Sequence, residues 1–302
     1  MRTSIAVAVV AVVLAAAGAP AAADVPFGPN DLVPRLYGHP YTGTKLYFIP
    51  TRAVRRLNQA RRAGMRVIVK LAGSQEHYRD PDGSFSLRKW KARVDEYRDA
   101  GLEEFVEDGT IVAHQLVSEA KADDQWGGTI IPNDVLDEMA AYSESIWPGM
   151  PTLVRADAVD LEEDAAGPDE PWPGGWTWTY LDAASSRYSA RKGRPAGFAR
   201  TEQAAADRQG LALAIGMNVL SGGDGSSGIP SPERGDAWAM SPRELRTYSA
   251  ELLEHSAACS FEMWKYFPRA TYFEKRRIVR AMKDVAAIAA ASPTVSCAAP
   301  PR

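Results

Sequence analysis

The feature that most constrains the fold is a recurring order of amphipathic helix, glycine and short apolar strand. A helix that begins near Thr51 is ended by Gly64, and residues 66–72 follow it as a strand. A second helix ends at Gly210, and residues 211–218 follow it in the same way. Strands that alternate with helices of about ten or more residues predict βαβ units, and therefore a parallel sheet in an α/β fold.

Seven segments read as candidate strands of this sheet. They are residues 35–39, 66–72, 110–119, 152–157, 176–182, 211–218 and 259–266. Seven or eight strands in 302 residues fit a (β/α)8 TIM-type barrel. A doubly wound open sheet is the alternative, but no Gly-x-Gly-x-x-Gly follows the first strand. A (β/α)8 barrel needs an eighth strand, which we expect between residues 73 and 108. Residues 88–97 in that segment read as a helix instead, so the eighth strand is predicted to be irregular or missing.

The first 23 residues have the layout of a secretory signal peptide. Arg2 supplies the positive start, residues 5–14 are apolar, and alanines occupy positions 21–23. This apolar core is shorter than the roughly 20 residues of a membrane-spanning helix, and no later segment approaches that length. We therefore expect an exported protein, secreted or periplasmic, with no membrane span after cleavage; a retained N-terminal anchor is the alternative. The expected parts are a signal peptide at 1–23, one barrel domain at 24–291 and a tail at 292–302.

The cysteine content and the charge exclude several classes of function. The chain has two cysteines, Cys259 and Cys297, and in an oxidising compartment a disulfide between them is expected. They form no Cys-x-x-Cys pair and no Cys/His cluster, and no His-Glu-x-x-His occurs, so we expect neither a metal nor another cofactor. A formal charge of −3 gives no reason to expect nucleic acid or an anionic membrane surface as partner. We expect a monomer.

Side-chain alternation along each strand predicts which residues face the barrel axis. The predicted axial side chains include Lys70, Arg155, Asp157, Asn218, Glu262 and Trp264. Charges inside a barrel cost several kcal/mol unless they are paired or hydrated, so we expect the four charged residues to form one network. That network is either a structural ion-pair cluster or part of a substrate site, because barrel enzymes place their chemistry at the carboxyl ends of strands.

Glu119 is the first candidate for a catalytic acid, because it ends a predicted strand and a polar loop follows it. Six segments carry a resemblance to known proteins: Asp108-Gly-Thr-Ile-Val112, Ser118-Glu119-Ala120, Gln125-Trp-Gly-Gly128, Gly216-Met-Asn-Val-Leu-Ser-Gly-Gly223, Ala239-Met-Ser-Pro-Arg-Glu-Leu245 and Met263-Trp-Lys-Tyr266. On these segments the chain resembles a family of secreted bacterial TIM-barrel proteins of the glycoside-hydrolase-like type, and the resemblance covers most of the mature chain. Such barrels often carry Asp-Glu-Pro or Asn-Glu-Pro where this chain has Ser118-Glu119-Ala120. The resemblance implies that Glu119 is the general acid/base, although both of its neighbours differ from the family pattern.

Glycoside hydrolysis ordinarily needs a second carboxylate, as nucleophile or as base for water. In the larger clan to which the resemblance points, this is a Glu near the end of the seventh strand, where the present chain has Asn218. Asp182, Asp224 and Glu262 are the substitutes, and the absence of any second catalytic carboxylate is the remaining alternative.

Several aromatic and polar residues are candidates for substrate binding. Aromatic rings stack on the C–H faces of sugars, although tryptophans in a chain of this kind can equally be core residues. The candidates are Trp126, Trp172, Trp178, Trp238, Trp264, His39, Lys70, Arg155, Asp157, Asn218 and Lys265. The sequence thus predicts a barrel that binds a carbohydrate at its carboxyl-terminal face, as a hydrolase or as a catalytically inactive glycan-binding or cell-surface interaction barrel.

Overall fold

The computed structural model describes residues 24–163, 176–266 and 271–300. Eight parallel strands form its sheet: β1 Phe27–Pro29, β2 Gly43–Tyr47, β3 Arg66–Lys70, β4 Ile111–Ser118, β5 Thr152–Arg155, β6 Ala183–Tyr188, β7 Ala212–Asn218 and β8 Ala258–Trp264. Each strand pairs with the next along the chain from β2 to β8, and β8 pairs with β1. The barrel is thus nearly closed, with one seam between β1 and β2, and the predicted (β/α)8 fold is confirmed.

Over the residues that the structure describes, eight α-helices lie among and after the strands. They are α1 Ala53–Arg62, α2 Leu87–Asp95, α3 Glu103–Glu107, α4 Asn133–Ile146, α5 Ala158–Glu163, α6 Pro195–Gln209, α7 Pro242–Glu254 and α8 Arg276–Ala291. Gly210 ends α6 in the left-handed conformation at φ +66°, which glycine adopts without steric cost. Within the described residues, no helix combines the length and the apolar character that crossing a bilayer requires. The predicted signal peptide lies outside the described residues.

The barrel interior has an apolar lower layer and a polar upper layer. The lower layer consists of small or aliphatic side chains from five strands, with the bonded cysteines against them: Ile68, Ala113, Leu153, Ala183, Ala212, Ala214, Cys259 and Cys297. The disulfide between Cys259 and Cys297 confirms the predicted bond and attaches the C-terminal tail to β8. On β7 the bulky Leu213, Ile215 and Met217 face the helices, as the alternation predicts, so the axial side is left to smaller and polar groups.

Two of the seven predicted strands are wrong. Residues 35–39 form no strand, and the first two of them belong to a 3-10 turn over Pro34–Leu36. The short strands β1 and β2 lie before and after this turn. Residues 176–182 alternate aromatic and polar side chains as a strand does. They instead run across α4, where Asp137 accepts the backbone N–H groups of residues 179–181. The strand in this region is β6, which begins at Ala183, directly after the predicted strand ends.

The additional strand expected between residues 73 and 108 does not occur in that segment, which contains α2 and α3. The predicted helix over residues 88–97 corresponds to α2. The eighth strand is instead supplied before β3, because β1 and β2 both precede it.

Candidate active site

The mouth of the barrel, at the carboxyl ends of the strands, contains two clefts that meet at Glu119. The first, of about 450 Å³, lies beside Arg155, Asp157, Arg187, Lys192 and Asn218, and we name it the Arg155 cleft. The second, of about 500 Å³, lies beside Lys45, Lys70, Ser118, Gln125, Trp264 and Lys265, and we name it the Lys70 cleft. Glu119 lines both, so a ligand that fills the two clefts passes over its carboxylate.

Glu119 directly follows β4 in a strained backbone conformation. Its φ is +55°, in the left-handed region that non-glycine residues rarely adopt. The indole Nε1 of Trp126 donates to the Glu119 carbonyl at 2.8 Å and so fixes this turn. Backbone strain of this kind costs on the order of 1–3 kcal/mol and persists only where the surrounding structure enforces it.

The Glu119 carboxylate is shared by two guanidinium groups. Oε1 lies 3.2 Å from Arg155 Nη2 and 3.8 Å from Arg187 Nη1. The Glu119 side chain is 38% exposed, whereas those of Arg155 and Arg187 are 9% and 14% exposed. The two arginines are therefore inside the barrel, and the carboxylate reaches the open mouth.

Asp157 lines the Arg155 cleft beside this cluster. Its carboxylate forms an ion pair with Lys192 and accepts the backbone N–H of Arg187 at 3.1 Å. Asp157 is 13% exposed at its side chain, so it is held at the cleft wall by contacts from β6 and from the loop after β6.

Lys70, at the end of β3, projects into the other cleft. Its ammonium donates to Ser118 Oγ at 3.2 Å. Burial, with the nearby charge of Lys45, lowers the pKa of Lys70 to about 8. Across this cleft, the centroid of the Trp264 ring lies 4.4 Å from the Arg187 guanidinium carbon and 4.9 Å from Lys265 Nζ. These distances are typical of cation–π contacts.

Beneath the clefts, Lys45 and Glu262 form a buried ion pair. Nζ of Lys45 lies 2.9 Å from Oε2 of Glu262 and also donates to Gln115 Oε1 at 2.7 Å. Burial has the largest single effect and raises the pKa of the Glu262 carboxyl, but Lys45, Arg187 and a hydrogen bond from Ser185 together outweigh it. The pKa of Glu262 is therefore lowered, which is expected of a carboxylate that remains ionised in its pair.

Seven of the predicted site residues line the two clefts. They are Glu119, Lys70, Arg155, Asp157, Asn218, Trp264 and Lys265. The four predicted axial charges form no ion pairs with one another, because Glu262 pairs with Lys45, Asp157 with Lys192, and Arg155 with Glu119. Hydrogen bonds through Lys45, Gln115 and Ser118 do connect Glu262 with Lys70, so the expected network is confirmed in part. Lys45 and Arg187 were not predicted, since their strands were not recognised in the sequence.

Three predicted site residues lie at the opposite, amino-terminal end of the barrel. Asp182 precedes β6, and its carboxylate accepts the backbone N–H groups of Thr152 and Ala299. Trp178 is buried there and donates to Gln209 at the end of α6. His39 is exposed just before β2, next to Gly38, which donates its N–H to Met65 Sδ beyond the end of α1. None of the three can contact a ligand at the mouth.

The other predicted residues lie apart from the clefts or outside the described residues. Trp126 is fully buried against Tyr78 and Phe85, so it is a core residue. It contacts Glu119 through the hydrogen bond from its Nε1 to the Glu119 carbonyl. Trp238 is 42% exposed, and like the exposed Asp224 it lies in the loop after β7 without lining either cleft. Trp172 lies outside the described residues.

No group of three or more His, Cys, Asp or Glu side chains in the described ranges is arranged to hold a metal ion.

Solved structures with a similar fold include a xylanase and a mannosidase. TsXylA, an intracellular xylanase from Thermoanaerobacterium saccharolyticum JW/SL-YS485, is 8% identical, with a TM-score of 0.52 over 86% of this chain and 95% of that chain. The exo-beta-1,4-mannosidase Op5Man5 from Opitutaceae bacterium strain TAV5 is 11% identical, with a TM-score of 0.53 over 83% of this chain and 53% of that chain. No protein-family model and no curated protein matches the sequence. The chain thus has the barrel fold found in these glycoside hydrolases.

Proposed function

We propose that this chain is an exported barrel protein that binds a carbohydrate across the two clefts and hydrolyses it with Glu119 as general acid/base. The observation that carries the proposal is the place of Glu119, at the carboxyl end of β4, where the two clefts meet. Barrel enzymes assemble their active sites at this end of the strands, and left-handed backbone at a non-glycine residue clusters at active sites. The xylanase and the mannosidase with the same fold support a glycan as substrate. The disulfide supports export, because such bonds persist in oxidising compartments.

The second carboxylate is Asp157 in this proposal. Hydrolysis needs an acid to protonate the leaving oxygen and a carboxylate to act as nucleophile or as base for water. Asp157 lines the same cleft as Glu119. The three carboxylates favoured by the sequence are less suitable, because Asp182 is at the other end of the barrel, and Asp224 and Glu262 line neither cleft.

A second candidate function is glycan binding without hydrolysis. It is favoured by Asn218, which ends β7 where the resemblance leads us to expect a catalytic Glu.

The test is to incubate the purified protein with a panel of oligosaccharides and to measure both released reducing ends and the shift in melting temperature. We expect release by the wild type, and a rate lowered at least about 100-fold in Glu119→Gln and in Asp157→Asn. Glu254→Gln, an exposed carboxylate at the end of α7, is the matched control and should behave as wild type. A melting shift without released ends would support the binding protein instead, and the absence of both effects would exclude both functions.

A further inference from the structure

Basic side chains outnumber acidic ones at the mouth of the barrel. Among the described residues that line the two clefts, eight are Lys or Arg and four are Asp or Glu. The whole chain has a formal net charge of −3, so this excess of positive charge is local. A cleft of one sign concentrates ligands of the opposite sign and speeds their association.

The half-buried Lys70 ammonium forms no ion pair with a carboxylate of the described residues. Its only hydrogen bond within the described residues is to the neutral Ser118 hydroxyl. Burial is the largest contribution to the lowered pKa of Lys70, and the attraction of Asp31, Glu119 and Glu76 compensates the charged form only in part.

The two arginines at Glu119 are also incompletely compensated. Arg155 and Arg187 share one carboxylate, and only the Arg155 contact is within hydrogen-bonding distance. Arg155 Nε is buried without a hydrogen-bond partner. Burial lowers the pKa of Arg187 and repulsion from Arg155 lowers it further, against the attraction of Glu119, Glu262 and Asp157. Guanidinium groups remain protonated in proteins, so a further anion in the cleft would reduce the remaining repulsion.

We propose that the ligand of this mouth is an acidic glycan, whose ring-borne carboxylate or sulfate groups are bound by Lys70 in the Lys70 cleft and by the guanidinium groups of Arg155 and Arg187 in the Arg155 cleft. This inference rests on the proposed function, since it specifies the class of carbohydrate. A neutral sugar would replace water around these cations without supplying charge, which raises the cost of their burial. An oxyanion supplies that charge, and its planar or tetrahedral oxygens match the N–H fork of an arginine.

The position of Trp264 fits the same role. Its ring contacts both Arg187 and Lys265, and its Nε1 donates to Glu233 at 3.1 Å. The indole is thereby fixed, and it contacts one cation that lines each cleft, Arg187 in the Arg155 cleft and Lys265 in the Lys70 cleft. Cations that are held in place before binding lose less side-chain entropy when the ligand arrives.

The experiment compares acidic oligosaccharides with neutral counterparts of the same linkage, by calorimetry on the wild-type protein. The pairs are β-1,4-mannuronate and β-1,4-mannan oligomers, oligogalacturonates and their methyl esters, and a sulfated oligosaccharide with its desulfated form. We expect at least one acidic member to bind about tenfold or more tightly than its neutral counterpart, because a hydrogen bond to a charged group contributes about 1.5–3 kcal/mol. Its affinity should decrease as the salt concentration rises. A preference within the mannuronate or galacturonate pair indicates that the site binds a carboxylate, and a preference within the sulfated pair indicates that it binds a sulfate.

A matched pair of variants assigns the effect to the mouth. Lys70→Met should weaken binding of the acidic oligosaccharide about tenfold or more, whereas Lys283→Met, on the exposed side of α8, should leave it unchanged. Equal affinity for the acidic and neutral members of every pair would overturn this inference and leave the proposed function intact. Failure of both members to bind in every pair would overturn the inference and the proposed function together.

Discussion

Lys45 Nζ lies 2.9 Å from Glu262 Oε2 inside the barrel, and less than a tenth of either side chain is exposed. The amide oxygen of Gln115 accepts a further hydrogen bond from the lysine, and Ser185 donates one to the carboxylate. Removing two ions from water costs several kcal/mol each, and the pair is tolerated only with both partners and their hydrogen bonds in place. Glu262 therefore maintains the interior of the barrel.

Breaking this pair on one side is expected to destabilise the protein strongly. Glu262→Gln leaves Lys45 as a buried charge without a counter-ion, so we expect the free energy of unfolding to fall by about 3–5 kcal/mol. Urea denaturation at pH 7 measures the loss. The double variant Lys45→Met with Glu262→Leu should recover most of it, because both charges are then absent. A loss below about 1 kcal/mol in the single variant would contradict this account.

Lys70→Met is expected to stabilise the fold at pH 7 by about 1–2 kcal/mol while it removes a proposed ligand contact. The pKa of Lys70 is lowered from 10.5 to about 8 by burial and by Lys45, against the attraction of Asp31, Glu119 and Glu76. The unfolded chain therefore binds this proton more tightly, and the wild type regains stability as the pH rises from about 8 towards 10.5.

The measurement is urea denaturation of the wild type and of Lys70→Met at pH 7 and pH 10. We expect the advantage of the variant to be smaller at pH 10, and Lys283→Met to match the wild type at both pH values. A variant less stable than the wild type at pH 7 would show that the Lys70 ammonium is well compensated.

The sequence predicted the barrel because five of its eight strands have the composition that strands favour. The strands β3, β4, β5, β7 and β8 carry apolar, β-branched or aromatic residues that stand out from the helices around them. By contrast, β6 has the sequence Ala-Ala-Ser-Ser-Arg-Tyr, whose small residues have little strand propensity, and β1 is only three residues long. Pairing with neighbours in the barrel holds these segments in strands, which local sequence does not reveal.

Site residues were predicted correctly where the strands that carry them were recognised in the sequence. Lys70, Arg155 and Asn218 end strands that were recognised, so their position at the mouth could be inferred from strand direction. Lys45 and Arg187 belong to strands that were missed. Asp182 was assigned to the wrong end of the barrel, because the predicted strand ends at this residue and the actual strand begins just after it.

Glu202 is expected to make stability depend on pH between about 4.5 and 7. Its carboxylate is buried behind β6, where it accepts the Ala158 N–H at 2.6 Å and the Ser186 hydroxyl at 2.7 Å. Burial raises the pKa of Glu202 to about 7, and the charge of Asp157 adds to the effect. The folded protein thus holds this proton more tightly than the unfolded chain. Its contribution to stability is complete below about pH 4.5 and is lost as the pH rises through about 7.

Glu202→Gln tests this dependence, because glutamine keeps an oxygen acceptor and cannot ionise. The variant should gain about 1–2 kcal/mol relative to the wild type at pH 8, and much less at pH 5. Denaturant unfolding of both proteins at the two pH values gives the difference. An equal difference at pH 5 and pH 8 would mean that Glu202 has no raised pKa in the folded state.

The disulfide between Cys259 and Cys297 is expected to stabilise the barrel by about 2–4 kcal/mol. It joins residues 38 positions apart, and such a cross-link restricts the unfolded chain. It also holds Cys297 against the apolar lower layer of the barrel, beside Ile68 and Ala113. Replacing both cysteines by alanine should lower the free energy of unfolding by this amount, as measured by denaturation without reductant. Reductant should destabilise the wild type and leave the double variant unaffected, because only the wild type has a bond to lose. Two free thiols per chain, found by alkylation of the unreduced protein in denaturant, would contradict the bond itself.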